Sequence, residues 1–127
     1  MSEMICLLVD DEPSVRTYLR AVLEEANFSC LEADSAPQAL GILQKINGRI
    51  DFIITDLEMP GDMDGIDLAY SVKAAFPALP VIIVSGYADG EKLARLPKDI
   101  QFISKPFVYG AIVHAVRKAV ESSKIGE

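Results

Sequence analysis

The segment IITDLEMPGDMDG, residues 53–65, carries an apolar run directly into an aspartate, Asp56, and then into a turn with a proline and two glycines. A short apolar run bounded by turn residues is typical of a buried strand. In α/β proteins, functional side chains lie where a strand ends and an irregular loop begins. The segment therefore predicts a strand that delivers one carboxylate to a site at the edge of a sheet.

Apolar runs and helical patterns alternate along the rest of the chain. Strands are predicted at residues 4–10, 28–33, 51–56, 80–85 and 99–104. Helices are predicted at residues 12–27, 35–46, 65–76, 89–96 and 108–123. This strict alternation predicts an α/β fold in which helices cover both faces of a parallel sheet. Right-handed crossovers restrict the arrangement to a doubly wound sheet.

Length and composition place limits on the domain count and on the partners. The chain has 127 residues, is 50% hydrophobic and carries a net charge of −7. These values predict a single domain over residues 1–127, with a flexible tail at 122–127. The acidic charge disfavours direct binding to nucleic acid or anionic lipid. The sequence has neither an apolar run of membrane-spanning length nor a signal-peptide pattern, so a cytoplasmic location is expected.

The cysteines, Cys6 and Cys30, lie in separate apolar runs and lack the CxxC spacing of a redox motif. We expect reduced thiols in the core, because the cytosol keeps thiols reduced. A disulfide between neighbouring strands stays open as the alternative.

Polar residues lie at or just after the carboxyl ends of several predicted strands. Asp10 and Asp11 follow the first strand, and the third, fourth and fifth strands lead to Asp56, Ser85 and Lys105. All parallel strands end at one edge of the sheet, so these groups should meet in one crevice. Carboxylates placed so close repel one another, and Mg²⁺ relieves that repulsion. Together with a hydroxyl and an amine that can contact phosphoryl oxygens, the set predicts Mg²⁺-dependent phosphoryl transfer to an aspartate.

Four motifs resemble those of the response-regulator receiver domain of two-component signalling. They are VDDEP at 9–13, IITDLEMPGDMDG at 53–65, VIIVSGYA at 81–88 and FISKPF at 102–107. The resemblance covers essentially the whole chain, with the motifs in order. It implies a flavodoxin-like (βα)₅ fold with a five-stranded parallel sheet in the order 2-1-3-4-5.

The resemblance also implies a role for each residue of the acidic site. Asp56 corresponds to the phospho-acceptor and is itself part of the metal site. Asp11 corresponds to the direct Mg²⁺ ligand, and Asp10 acts on the ion through a water. The backbone carbonyl of Glu58 completes the metal site.

Further family positions fall on the fourth and fifth strands. Ser85 resembles the switch hydroxyl and Lys105 the amine that binds the phosphoryl group. Phe102 lies where the family places a rotating aromatic side chain, although tyrosine is commoner there. Pro106 corresponds to a proline that follows a cis bond.

The chain departs from the family pattern in two further places. The loop MPGDMDG, residues 59–65, has one residue more than the usual spacing. The fourth helix, in ADGEKLARLP at 88–97, is expected to be short or mobile because it begins with glycine and stops at proline. In this family that helix, the fifth strand and the fifth helix form the usual output face.

The resemblance implies a histidine kinase or histidine phosphotransfer protein as the phosphoryl donor and a downstream protein as the target. It implies no enzyme activity beyond self-phosphorylation and self-dephosphorylation. The implied oligomeric state is a monomer or a phosphorylation-dependent dimer. We expect a stand-alone module, because no output domain follows Lys124. The alternatives are a receiver fragment of a larger regulator or hybrid kinase, and a phosphorylation-independent adaptor. An aspartyl-phosphate phosphohydrolase is less favoured, since Asp56-Leu57-Glu58 only loosely matches its DxD motif.

Overall fold

The architecture was determined as a computed structural model, which describes residues 4–86, 90–97, 100–104 and 109–125. The strands are β1 (Met4–Val9), β2 (Phe28–Ala33), β3 (Phe52–Asp56), β4 (Val81–Ser85) and β5 (Gln101–Ser104). The helices are α1 (Pro13–Glu25), α2 (Ala36–Ile46), α3 (Gly65–Ala75), α4 (Gly90–Ala94) and α5 (Tyr109–Ile125). All ten predicted elements are present, with small shifts of their ends.

The strands form one parallel sheet in the order β2-β1-β3-β4-β5. This order confirms the predicted flavodoxin-like fold. The chain moves outward from β1 to β2 and then returns to the other side of β1 to form β3. The carboxyl ends of β1 and β3 therefore flank the point where the winding reverses, which is where open α/β sheets place their sites.

Helices cover both faces of the sheet, and the side chains of each central strand alternate between them. On one face, Cys6 and Leu8 of β1 pack with core residues of α1 and α5. On the other face, Leu7 and Val9 pack with core residues of α2 and α3. The central strands are consequently apolar on both sides, which explains the unbroken apolar runs in the sequence. Within the described part of the chain, we find no helix with the length and apolar character needed to cross a membrane.

Local signals in the sequence set several helix ends. The Ser35 hydroxyl accepts from the Gln38 backbone N–H at 3.3 Å and caps α2. Asn47, at φ 55°, is left-handed and ends the same helix, because asparagine tolerates this conformation. Asp64 and Asp67 form a reciprocal capping box at the start of α3.

The later elements agree with the predictions in part. α4 is only five residues long, and within the described structure it buries no side chain. Its predicted shortness is thus confirmed. α5 continues to Ile125, past the predicted end at residue 123. The tail at 122–127 and the single-domain boundary stay predictions.

Gly65 brings α3 against the end of β3. Its N–H donates to the Leu57 carbonyl at 2.8 Å. A Cβ added at Gly65 would lie 2.2 Å from the Asp56 backbone oxygen and 2.9 Å from the Leu57 Cα. Both of these atoms belong to backbone that cannot move without shifting the functional strand end. Glycine is therefore required for steric reasons at this position.

We expect Gly65→Ala to lower the free energy of unfolding by about 1–3 kcal/mol, the usual cost of overpacking. The matched control is Gly41→Ala within α2, where an added Cβ meets no described atom within 4 Å. That substitution should raise stability by about 0.5–1 kcal/mol through helix propensity. Urea unfolding of both variants measures the difference. Equal stability of the Gly65 variant and the parent would contradict the steric argument.

Candidate functional site

Three carboxylates from two neighbouring strands meet at the carboxyl edge of the sheet. Asp10 and Asp11 follow β1, and Asp56 is the last residue of β3. One carboxylate oxygen from each of the three residues lies within 4.8 Å of the other two. Asp10 and Asp56 are buried, with 1% and 8% of their surface exposed, whereas Asp11 is exposed. The convergence predicted from the strand ends is therefore present for the three carboxylates.

Asp10 is fixed through both its backbone and its side chain. Its N–H donates to the Ala33 carbonyl at 3.1 Å, which ties it to the end of β2. Its Oδ1 accepts from the Glu12 N–H at 2.9 Å. Its carbonyl oxygen accepts from Arg16 Nη1 at 2.7 Å. These contacts hold the residue both from β2 and from the start of α1, which fixes its orientation.

A surface ion-pair network holds Arg16 in turn. Arg16 Nε donates to Glu32 Oε1 at 2.8 Å, and Arg20 Nε donates to Glu32 Oε2 at 2.7 Å. Burial raises the pKa of the Glu32 carboxyl, but the hydrogen bonds from the two guanidinium groups outweigh it and lower this pKa overall. Glu32 therefore stays ionised and keeps the Arg16 guanidinium group directed at the Asp10 carbonyl.

Asp56 is fixed by the turn that follows β3. Its Oδ1 accepts from the Leu57 N–H at 3.0 Å, and the same N–H lies 2.9 Å from the Val84 carbonyl of β4. Thr55 Oγ1 donates to the Asp56 carbonyl at 3.0 Å. These contacts set the direction in which the Asp56 carboxylate faces. Gly65 lies directly against this turn, so its lack of a side chain serves the same purpose.

Some of the other predicted site residues lie within the described part of the chain. Ser85 ends β4, next to the strand of Asp56, and is 4% exposed. Phe102 lies on β5 opposite Ile83 and is half-buried against the core. Lys105 and Pro106 lie outside the described residues. The hydroxyl is therefore at the same edge as the carboxylates, and the roles of Lys105 and Pro106 stay predictions.

An ion pair that could not be predicted from the sequence joins the loop after Asp56 to α4. Lys92 Nζ lies 2.5 Å from Glu58 Oε1, and both side chains are substantially exposed. On the neighbouring surface, the Tyr70 hydroxyl donates to the Arg95 carbonyl at 2.6 Å. No local pattern links residues 58 and 92, because their pairing depends on how α4 lies over the sheet. The Glu58 side chain thus faces α4.

The donor set of this edge suits a hard divalent cation. The three clustered side chains offer only carboxylate oxygens, and the Glu58 backbone carbonyl is a further oxygen close in sequence. Mg²⁺ and Ca²⁺ take oxygen ligands, whereas zinc sites favour nitrogen and sulfur. Mg²⁺ needs only one or two carboxylates and keeps several waters, which agrees with a site open on the Asp11 side.

Residues 6–117 match the response regulator receiver domain family, and the chain belongs to that family. The chain is 33% identical over 117 residues to the sensor kinase CckA of Brucella abortus, which covers 91% of this chain. It is 32% identical over 128 residues to a putative NtrX-like response regulator of Rickettsia felis, which covers 98% of this chain. Among solved structures, a response regulator receiver protein from Sinorhizobium medicae superposes with a TM-score of 0.88. That structure is 25% identical, and the match covers 96% of this chain and 98% of the other.

The matched region is a small part of the curated relatives. This chain spans 12% of the length of the CckA relative and 26% of the length of the NtrX-like relative. The family assignment therefore concerns the receiver domain itself, a signalling domain whose members interact with histidine kinases or phosphotransfer proteins.

The hydrogen bond from Arg16 to the Asp10 carbonyl should affect how tightly the acidic cluster binds Mg²⁺. We expect Arg16→Lys to weaken Mg²⁺ binding about tenfold, because a lysine cannot bridge Glu32 and the Asp10 carbonyl with two separate nitrogens. Arg20→Lys is the matched control: it contacts the same Glu32 but no metal-site residue. Both changes preserve the charge. Isothermal titration with MgCl₂ measures the affinities, and equal affinity of the two variants would refute a positioning role for Arg16.

Proposed function

We propose that Asp56 accepts a phosphoryl group from the phosphohistidine of a histidine kinase or histidine phosphotransfer protein. The observation that carries this proposal is the convergence of Asp10, Asp11 and Asp56 within 4.8 Å in a chain of the receiver family. The chain catalyses only its own phosphorylation and dephosphorylation. It then passes the signal on by a change of conformation.

The position of Asp56 supports its choice as acceptor among the three carboxylates. β3 lies between β1 and β4, so Asp56 has the acids Asp10 and Asp11 on one side and Ser85 on the other. A phosphoryl group on Asp56 would thus lie between the cation-holding acids and a hydroxyl donor.

The reaction is a nucleophilic substitution at phosphorus. A carboxylate oxygen of Asp56 forms a bond to phosphorus, while the bond from phosphorus to the imidazole nitrogen breaks and the imidazole keeps the electron pair. The product is an acyl phosphate. Asp10, Asp11, Asp56 and the Glu58 carbonyl would hold Mg²⁺, which neutralises charge on the phosphoryl oxygens. The residues of the chain contribute mainly by holding the carboxylate in position.

Three further residues would respond to the phosphoryl group. Ser85, at the end of β4, would donate a hydrogen bond from its hydroxyl to a phosphoryl oxygen. Lys105 would bind another oxygen through its ammonium group. Phe102, already half-buried on β5, would move further inward. These movements would shift an equilibrium between inactive and active conformations.

The attachment of α4 supports its part in that change. α4 has no buried side chain in the described structure, and the Lys92–Glu58 ion pair joins it to the loop after Asp56. The Tyr70–Arg95 hydrogen bond holds the residue that follows the helix. Exposed contacts of this kind contribute little stability, so shifting the helix costs little. Phosphorylation replaces the single negative charge of the Asp56 carboxylate with a phosphoryl group of about −1.5 to −2 charges, two residues from Glu58. We propose that α4 and β5 carry the signal to a downstream protein.

A phosphohistidine donor favours a cytoplasmic location, and the net charge of −7 disfavours nucleic acid as the direct target. The stand-alone organisation and the monomeric or phosphorylation-dependent dimeric state stay predictions.

The acceptor is tested by intact-protein mass after incubation with phosphoramidate, whose phosphorus–nitrogen bond resembles that of phosphohistidine. We expect one phosphoryl group on the wild type with Mg²⁺ and a greatly reduced gain when Mg²⁺ is chelated. Asp56→Asn should gain none. Asp34→Asn is the matched control, because Asp34 follows β2 at the same edge but lies outside the acidic cluster. Phosphorylation that persists in Asp56→Asn would show that another residue is the acceptor.

A further inference from the structure

Two thiols face each other directly inside the core, away from the acidic site. Cys6 of β1 and Cys30 of β2 occupy the same register position of neighbouring parallel strands. Their sulfur atoms are 3.3 Å apart. Cys6 is completely buried, and Cys30 is 9% exposed. Both are free thiols, in agreement with the prediction from the sequence.

The backbone geometry suits a covalent bond between these residues. Neighbouring strands lie about 4.7–4.9 Å apart, within the Cα separations of roughly 4.4–6.8 Å that disulfides span. The two cysteines are opposite each other, so neither strand has to slide along the sheet. Closing the bond needs only a small approach of the sulfurs.

The two thiols are chemically unequal. The Cys6 S–H donates to the Cys30 sulfur. This hydrogen bond lowers the pKa of Cys30. Burial acts in the opposite direction, but the Arg20 charge also lowers this pKa, and the net shift is downward. The same contact and burial raise the pKa of Cys6. Arg20 is held beside this pair, because its Nη2 donates to the Cys30 carbonyl at 3.0 Å. Cys30 is thus the thiol that ionises first, and it is also the more accessible one.

We propose that Cys6 and Cys30 form a thiol oxidation site that reacts with hydrogen peroxide and closes a disulfide between β1 and β2. The Cys30 thiolate attacks one peroxide oxygen, the O–O bond breaks, and the departing hydroxide takes up a proton to become water. Cys6 then loses its proton and attacks the resulting sulfenic sulfur, and the S–O bond breaks to release a second water. The sum is two thiols and one peroxide giving one disulfide and two waters.

This inference does not depend on phosphorylation of Asp56. The disulfide would join two strands that are already paired, so the fold should survive oxidation. Since the bond closes a loop between residues 6 and 30, it also restricts the unfolded chain. We therefore expect the oxidised protein to unfold at a midpoint about 5–10 °C above that of the reduced protein.

The native chain is treated with hydrogen peroxide, and the excess is removed with catalase. The protein is then denatured, and its remaining thiols are alkylated with N-ethylmaleimide. Intact mass should show the loss of two hydrogens and no maleimide, and dithiothreitol should restore two reactive thiols. In Cys6→Ala, Cys30 should stop at the sulfenic acid and react with dimedone. In Cys30→Ala, Cys6 should resist oxidation because it is fully buried.

The wild-type comparison stands even if a variant fails to fold. Peroxide treatment of the native protein that leaves both thiols open to maleimide would overturn the proposal. So would a disulfide that forms only when urea is present during oxidation. Disulfide-linked dimers on a non-reducing gel, in place of the internal bond, would also contradict it.

Discussion

The mutual repulsion of Asp10, Asp11 and Asp56 is the interaction on which the rest of the site depends. One oxygen from each carboxylate lies within 4.8 Å of the other two, and two of the three residues are buried. Burial weakens solvent screening, so the repulsion works against folding until a cation neutralises it. A chain retains such a cluster only where function requires it and where the surrounding structure supplies compensating stability.

The fold supplies that compensation in two ways. The central strands are apolar on both faces, so the hydrophobic burial around β1 and β3 is extensive. Short polar contacts then fix the two buried acids individually: the Glu12 N–H and Arg16 hold Asp10, and the Leu57 N–H holds Asp56. The close approach at Gly65 locks the turn after β3. The scaffold thereby holds the like charges close together, in the arrangement that a divalent cation and a phosphoryl group require.

Much of this could be predicted from the sequence because it follows from local patterns. Apolar runs marked the strands, helical spacing marked the helices, and the parallel topology brought Asp10, Asp11 and Asp56 to one edge. The contact of Arg16 with the Asp10 carbonyl and the ion pair of Lys92 with Glu58 could not be predicted. They join residues whose proximity depends on how each helix lies on the sheet. The pairing of the two cysteines likewise depends on register, which only the assembled sheet defines.

Repulsion within the acidic cluster should make the stability of the domain depend on a divalent cation. Thermal unfolding of the wild type and Asp56→Asn, with and without Mg²⁺ at matched ionic strength, measures this dependence. Without Mg²⁺, the variant should unfold at a higher temperature than the wild type, because removing one charge relieves the repulsion. Mg²⁺ should then raise the midpoint of the wild type more than that of the variant. A variant less stable than the wild type, together with no effect of Mg²⁺ on either protein, would contradict the account.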